Sequence, residues 1–239
     1  LITISHGIAS EIFVADYSDD PAHQEAIVTN LHAQRNGQNL SEGKMVKAAT
    51  FRGVGAIAVA ERLQKLVNGK GLSEVPFESV VTKFTRPRRA ANFERLKDEP
   101  NCLYLPLSGT SDATTSQDKL PDKQKSYCQL CIDEEVADAQ YLAALFNTEL
   151  GHQMRRLASS GDTMPVIKKS LLLETSAYLP AVEIQRRIIS ADTRIQNVIS
   201  DADSTRDKLW KHPHGIEEHE VAISGMERKD GPRELADAL

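Results

Sequence analysis

The chain has 239 residues, 40% of them apolar and 26% charged, with a net charge of −5. That length suffices for one large domain or two small ones, and no apolar run approaches the ~18 residues of a membrane span. An acidic balance argues against a surface that grips nucleic acid everywhere, so any such contact must rest on a local basic patch. Leu1 to His6 carries neither the basic start nor the apolar run of a signal peptide. Three cysteines are odd in number and too few for a disulfide framework, which suits a reducing compartment. The expectation is a cytoplasmic protein with no membrane partner.

Ile12-Phe13-Val14 reads as a short buried strand in want of neighbours, and with no initiating Met before it the sequence reads as a piece of something longer. Asp19-Asp20-Pro21 predicts a helix start, because a carboxylate accepts free amide hydrogens and proline fits the first helical position. Ile27, Val28 and Leu31 share one face of that helix, and Asn36-Gly37 supplies its stop. A second helix is predicted over 54–67, with Glu61 set to pair with Lys65 and Asn68-Gly69 at its end. Gly69-Lys70-Gly71 then reads as a linker.

Beyond Pro76 the pattern turns mixed. Leu103, Leu105 and Leu107 predict one strand and residues 126–132 another, with 108–125 between them a mobile surface loop. Residues 137–150 read as a helix with Tyr141, Leu142, Leu145 and Phe146 on its core face and Gly151 at its end or at a kink. Ser159 to Thr163 forms a small polar turn. From Ala181 the texture changes again: Ala181, Ile184, Ile188, Ala191, Ile195, Val198, Ala202, Thr205 and Leu209 fall at alternating three- and four-residue steps, the a/d spacing of a coiled-coil seam. After the break at His212 to Gly215 comes an acidic tail, with one more short helix predicted around 216–226.

The densest basic stretch runs from Lys83 to Lys97, with six cationic side chains against one carboxylate. Arg86, Arg88 and Arg89 flank Pro87, which cannot sit in a helix interior, so the stretch reads as a loop presenting guanidinium forks for phosphate or base-edge contact. The bland reading is a solvated charge run. Lys168 and Lys169, after the polar turn, form a smaller basic pair. Cys128 and Cys131 have a CxxC spacing, but on a strand residues three apart point to opposite faces, and no second pair follows. Gly53-Val54-Gly55 lacks the preceding strand and third glycine of a dinucleotide or S-adenosylmethionine loop. No catalytic motif stands out, and the chain reads as non-catalytic by itself.

Three stretches in order carry a resemblance: Tyr141 to Gly151, Leu157 through the Ser159 to Thr163 turn to Leu171, and Leu179-Pro180-Ala181-Val182-Glu183-Ile184-Gln185-Arg186-Arg187-Ile188. This order resembles the C-terminal half of a target recognition domain from type I restriction-modification specificity subunits, with Ala181 where a second proline is usual. It covers roughly residues 76–209. The first seventy residues, through Ile12 to Asp16, Thr50 to Gly53 and Ala60 to Leu63, are similar more loosely to the stretch that follows the catalytic domain of N6-adenine DNA methylases.

The resemblance implies an α+β fold: a small mixed target recognition domain at 73–179, a methylase-like helical stub and linker at 1–72, a spacer coiled-coil helix at 180–211 and an acidic tail at 212–239. It implies recognition of double-stranded DNA for a restriction-modification system, with S-adenosylmethionine needed only by a catalytic part outside this chain and no cofactor within it. The expected DNA contacts are Lys83, Arg86, Arg88, Arg89, Ser160, Thr163, Lys168 and Lys169, and no metal site is expected. Ile184, Ile188, Ile195, Val198 and Leu209 are expected to pack on a second copy or another subunit of the system. The competing reading is a protein-protein adaptor that docks through the long helix and binds no DNA.

Overall fold

A computed structural model describes residues 10–16, 19–48, 51–87, 96–108, 111–121, 124–160, 165–211 and 216–229. All six residues of Tyr127–Ile132 are buried, and this strand, β6, is the middle of a three-stranded antiparallel sheet with β4 (Val81–Thr85) and β5 (Cys102–Pro106) at its sides. Pairing on both edges and packing on both faces explain why β6 is buried throughout rather than on alternate residues.

The register sorts the side chains. Lys83 and Cys102 both pair with Cys131, and Thr85 and Tyr104 both pair with Gln129, so these residues share one face. Phe84, Leu130 and Leu103 lie in one row on the other, where the helix α4 (Ala139–Phe146) packs on β5. On the first face the chain at 96–99 serves as cover. Leu96 packs with Tyr104 and Tyr127, and the Lys97 carbonyl accepts from Gln129 Nε2 at 2.6 Å and from the Tyr104 hydroxyl at 3.0 Å. Burying Leu103, Leu105 and Leu130 completely contributes about 1.5–3 kcal/mol each.

The predicted helix over 137–150 is two helices. Asp138 caps α4, and Thr148 caps a second helix, α5 (Glu149–Leu157), by accepting from Gly151 N, so the break falls at Asn147 and not at Gly151. Gly151 lies inside α5 because the helices approach there: a Cβ on it would sit 2.0 Å from the Leu145 carbonyl oxygen. Asn147, freed from either helix, turns its amide onto Ala113, accepting from its N–H at 2.7 Å and donating to its carbonyl at 2.9 Å. The stretch predicted as a mobile loop is therefore fastened at Ala113 and Thr114, the latter bonded through its backbone to Tyr104. Side-chain amides stand in for a strand partner, which spacing does not reveal.

The first seventy residues join this unit. The opening strand, β1 (Glu11–Val14), has a neighbour after all, β2 (Lys44–Lys47), paired antiparallel. The helix α1 (Pro21–His32) begins on an Asp20 cap as predicted but ends earlier than Asn36-Gly37, and Val28 on its expected core face is exposed. The helix α2 (Val54–Val67) has the predicted bounds. Glu61 pairs with Lys44 at 2.6 Å instead of Lys65, since a tertiary partner outcompetes the helical neighbour. α2 packs on α5, and Gln64 donates to the Tyr178 hydroxyl at 3.1 Å. Behind α2, β3 (Ser73–Pro76) pairs with β9 (Ser176–Leu179), and the single turn α3 (Phe77–Val80) stacks Phe77 on Phe146. A short hairpin, β7 (Ser159–Ser160) with β8 (Val166–Ile167), and the helix α6 (Lys169–Glu174) complete the unit, which spans residues 1–182.

The second unit, residues 183–239, holds most of α7 (Val182–Lys211) and all of α8 (Ile216–Lys229). The two α-helices fall where the heptad spacing and the tail pattern predict them. The mixture of helices with antiparallel pairs among the described residues is consistent with an α+β class. Among those residues, no helix is long and apolar enough to cross a membrane.

Replacing Asn147 with Ala is expected to cost about 2–4 kcal/mol, because it leaves both backbone groups of buried Ala113 without partners. Urea unfolding should show a lower midpoint with an unchanged slope.

Candidate nucleic-acid interface

The basic stretch divides at its first residues. Lys83 is in β4 rather than in a loop, and strand alternation sets it on the face of the sheet opposite to Phe84. Its ammonium donates to both carboxylate oxygens of Glu99, at 2.7 and 2.8 Å, so its charge is compensated. The sequence shows the cation but not this partner, which the fold brings from the other end of the run. Arg86 follows the end of β4 and is exposed, and Pro87 after it is buried. Arg88 and Arg89 lie outside the described residues. They fall in sequence between two buried anchors, Pro87 and Leu96.

The smaller basic pair comes to the same strand. Lys169 places its ammonium 5.8 Å from the centroid of the Phe84 ring, within cation–π range. Three backbone contacts hold it there: Ser108 bridges to Val166, Ile167 N donates to the Leu107 carbonyl at 2.8 Å, and Lys168 N donates to the Ala158 carbonyl at 3.1 Å. The hairpin carrying Ser160 is thereby tied to the end of β5, and Lys168 and Lys169, both exposed, sit beside the strand from which Arg86 emerges. Ser160 is half-buried, and Thr163 lies outside the described residues.

One cation escapes sequence reasoning. Arg155, in the last turn of α5, is buried, and its guanidinium donates to the Ser111 carbonyl at 3.1 Å. Burial pulls its pKa below the usual arginine range, with Asp112 opposing the shift. Burial likewise pushes the Cys128 thiol up to about 12, while the fields of Arg86 and Arg155 act in the other direction. Both guanidiniums are thus felt at the buried thiol beneath the sheet's end. The only sequence signal is the pair Arg155-Arg156 closing a helix, where cations are common for dipole reasons alone.

The cysteines behave differently from expectation. Cys128 and Cys131 do face opposite ways, but Cys131 is bonded to Cys102 across β5 and β6, at a Cα–Cα separation of 4.1 Å. The odd count conceals a pair that only the strand register discloses. Glu99 lies beside it, with Cys131 Sγ 3.7 Å from its carboxylate, and the three ligand atoms fall within 4.8 Å of one another. The two sulfurs are bonded to each other as a cross-strand staple, and the carboxylate is held by Lys83.

Along α7, Ile184, Ile188 and Ile195 are exposed, while Val198 and Leu209 are half-buried. Thr205, another residue of the predicted seam, is buried.

Thiol titration of the unfolded chain without reductant should count one thiol, Cys128, and after reduction three. In the folded chain Cys128 should resist alkylation at pH 8, because a thiol with a pKa of about 12 is almost wholly protonated there.

Comparison of the chain with protein-family models and with curated proteins returned no match. The resemblance to type I specificity subunits therefore rests on the motifs in the sequence.

Proposed function

We propose that this chain recognises double-stranded DNA as the specificity part of a type I-like restriction-modification system, with adenine methylation carried out by a catalytic part outside it. The observation that supports this most is the seating of Lys169 on Phe84, because it unites two basic segments more than eighty positions apart in the sequence. Neither segment alone rises above a solvated charge run. Together they make a local cationic surface on an acidic chain, the pattern expected where phosphate contact is confined to one patch.

In this reading Arg86, Lys168 and Lys169 contact phosphates, joined by Arg88 and Arg89 from the basic run and by the hydroxyls of Ser160 and Thr163. Phosphate contacts fix orientation, and one or more arginines reach a base edge, where the bidentate guanidinium fork matches guanine. Lys83 contributes least, since Glu99 already neutralises it. S-adenosylmethionine belongs to the catalytic part. A second copy of the chain, docked through α7, supplies the second half of a two-part site. The exposed isoleucines of α7 also favour the adaptor reading, in which the basic surface is idle.

Binding of a random duplex, followed by filter retention across a salt series, separates the two. The proposal expects binding that weakens steeply with salt, and in a variant carrying Arg86→Glu, Lys168→Glu and Lys169→Glu an affinity at least tenfold lower. The log–log salt slope should be shallower by about 2–3, at roughly 0.9 for each phosphate that the variant no longer neutralises. Wild-type protein with no salt-dependent binding, or a folded triple variant with unchanged slope, would leave the adaptor reading in its place.

A further inference from the structure

The CxxC spacing points to the wrong pair of cysteines. The sheet register sets Cys131 opposite Cys102, on the face that carries Lys83, and the Glu99 carboxylate reaches the same place from the turn before β5. The three ligand atoms lie within 4.8 Å of one another. A disulfide carries no charge and needs no carboxylate beside it, so the staple alone does not account for Glu99.

The turn that delivers Glu99 is fixed from behind. Asn101 takes a left-handed backbone, with φ at 46°, which asparagine tolerates better than most residues. Its amide donates to the Ile132 carbonyl at 2.9 Å and to the Ala137 carbonyl at 3.3 Å, and accepts from the Ala139 N–H at 2.9 Å. Glu99 thus stands two residues from an anchored point, and Lys83 holds both its oxygens, at 2.7 and 2.8 Å. Cys131 Sγ is 3.7 Å from Glu99 Oε2. That spacing is already the one a metal asks for: with zinc–sulfur bonds of about 2.3 Å and a zinc–oxygen bond of about 2.1 Å, tetrahedral ligand atoms stand roughly 3.6–3.8 Å apart. Once unbonded, the two sulfurs separate to van der Waals contact, which is a similar distance.

We propose that, when the disulfide is reduced, Cys102, Cys131 and Glu99 hold a divalent thiophilic cation of the zinc class, with water as the fourth ligand. The reductant is a thiol. Its thiolate attacks one sulfur to form a mixed disulfide, a second reductant thiol releases it as the reductant's own disulfide, and both cysteines are left as thiols. The cation then displaces one proton from each thiol to solvent. Charge balances within the cluster, two thiolates and a carboxylate against the cation and the Lys83 ammonium, as a buried ionic group requires. Glu99 Oε2 serves the ion while Oε1 stays with Lys83, the hydrogen-bonded carboxylate typical of a metal ligand. The two cysteines are buried, but the Glu99 side chain is 30% exposed, which gives the ion its entry and the water its place. Disulfide and ion exclude each other, so the site is gated by redox state. It stands independently of DNA recognition.

Cobalt(II) titration of the whole chain, reduced with dithiothreitol and desalted without oxygen, tests this. The proposal expects one equivalent bound with a thiolate-to-cobalt charge-transfer band that zinc displaces, and X-ray absorption of the zinc form should count two sulfurs at about 2.3 Å. Cys128→Ser should leave the band unchanged, Cys102→Ser should abolish it, and Glu99→Gln should weaken binding at least tenfold. Bound zinc should also slow re-formation of the disulfide by oxidised glutathione at least tenfold. The sulfur count is made on the wild-type chain and so holds whether or not Cys102→Ser folds; one sulfur or three overturns the proposal. So does a reduced chain, folded by circular dichroism, that gives no thiolate band, a disulfide that cannot be reduced without unfolding, or equal binding by the unreduced chain.

Discussion

The two-sided pairing of Tyr127–Ile132 is the constraint from which the rest of the first unit follows. A strand with a partner on each edge has no freedom of register, because a slip of one residue would exchange the faces of Leu130 and Gln129 and part Gln129 Nε2 from the Lys97 carbonyl. With that register fixed, Cys102 must face Cys131, Lys83 must lie on the face of Glu99, and Phe84 must lie on the opposite face. Arg86 follows the end of β4, and Leu96 is locked by Tyr104, Tyr127 and Gln124. In sequence the basic run lies between these two positions.

The same constraint separates charges that look equivalent in the sequence. Lys83 and Arg86 are three positions apart, yet one is neutralised by Glu99 and the other faces solvent beside the buried thiol of Cys128. Lys169 and Lys83 are far apart, yet both belong to the surroundings of β4, on opposite faces. A local +5 counted along Lys83 to Lys97 is therefore not a surface potential. The exposed cations left at the end of β4 are a smaller set, from two segments that meet at Phe84.

The parts of this fold that are legible in sequence are those governed by local chemistry. The bounds of α2, the Asp20 cap of α1 and the extent of α7 as one long helix depend on residues within a few turns of each other, and they match. The parts that are not legible depend on pairing at a distance. β2 and β3 are short, partly exposed strands whose composition carries no alternation, and only their partners β1 and β9 define them. The break between α4 and α5 follows from Thr148 acting as a cap and Asn147 reaching Ala113, choices that a continuous apolar face conceals. Of the candidate site, the basic residues are visible in sequence, but their sorting by Glu99 and Phe84, and the presence of Arg155, require the tertiary structure.

The central claim is that Lys168 and Lys169 act with the basic run at the end of β4 as one DNA-facing surface. Lysine acetylation footprinting, read by mass spectrometry with and without duplex DNA at low salt, tests it most directly. The account predicts strong protection of Lys168 and Lys169 by duplex, little change at Lys83, and none at exposed Lys70. Labelling of Lys168 and Lys169 at the same rate with and without DNA would contradict it.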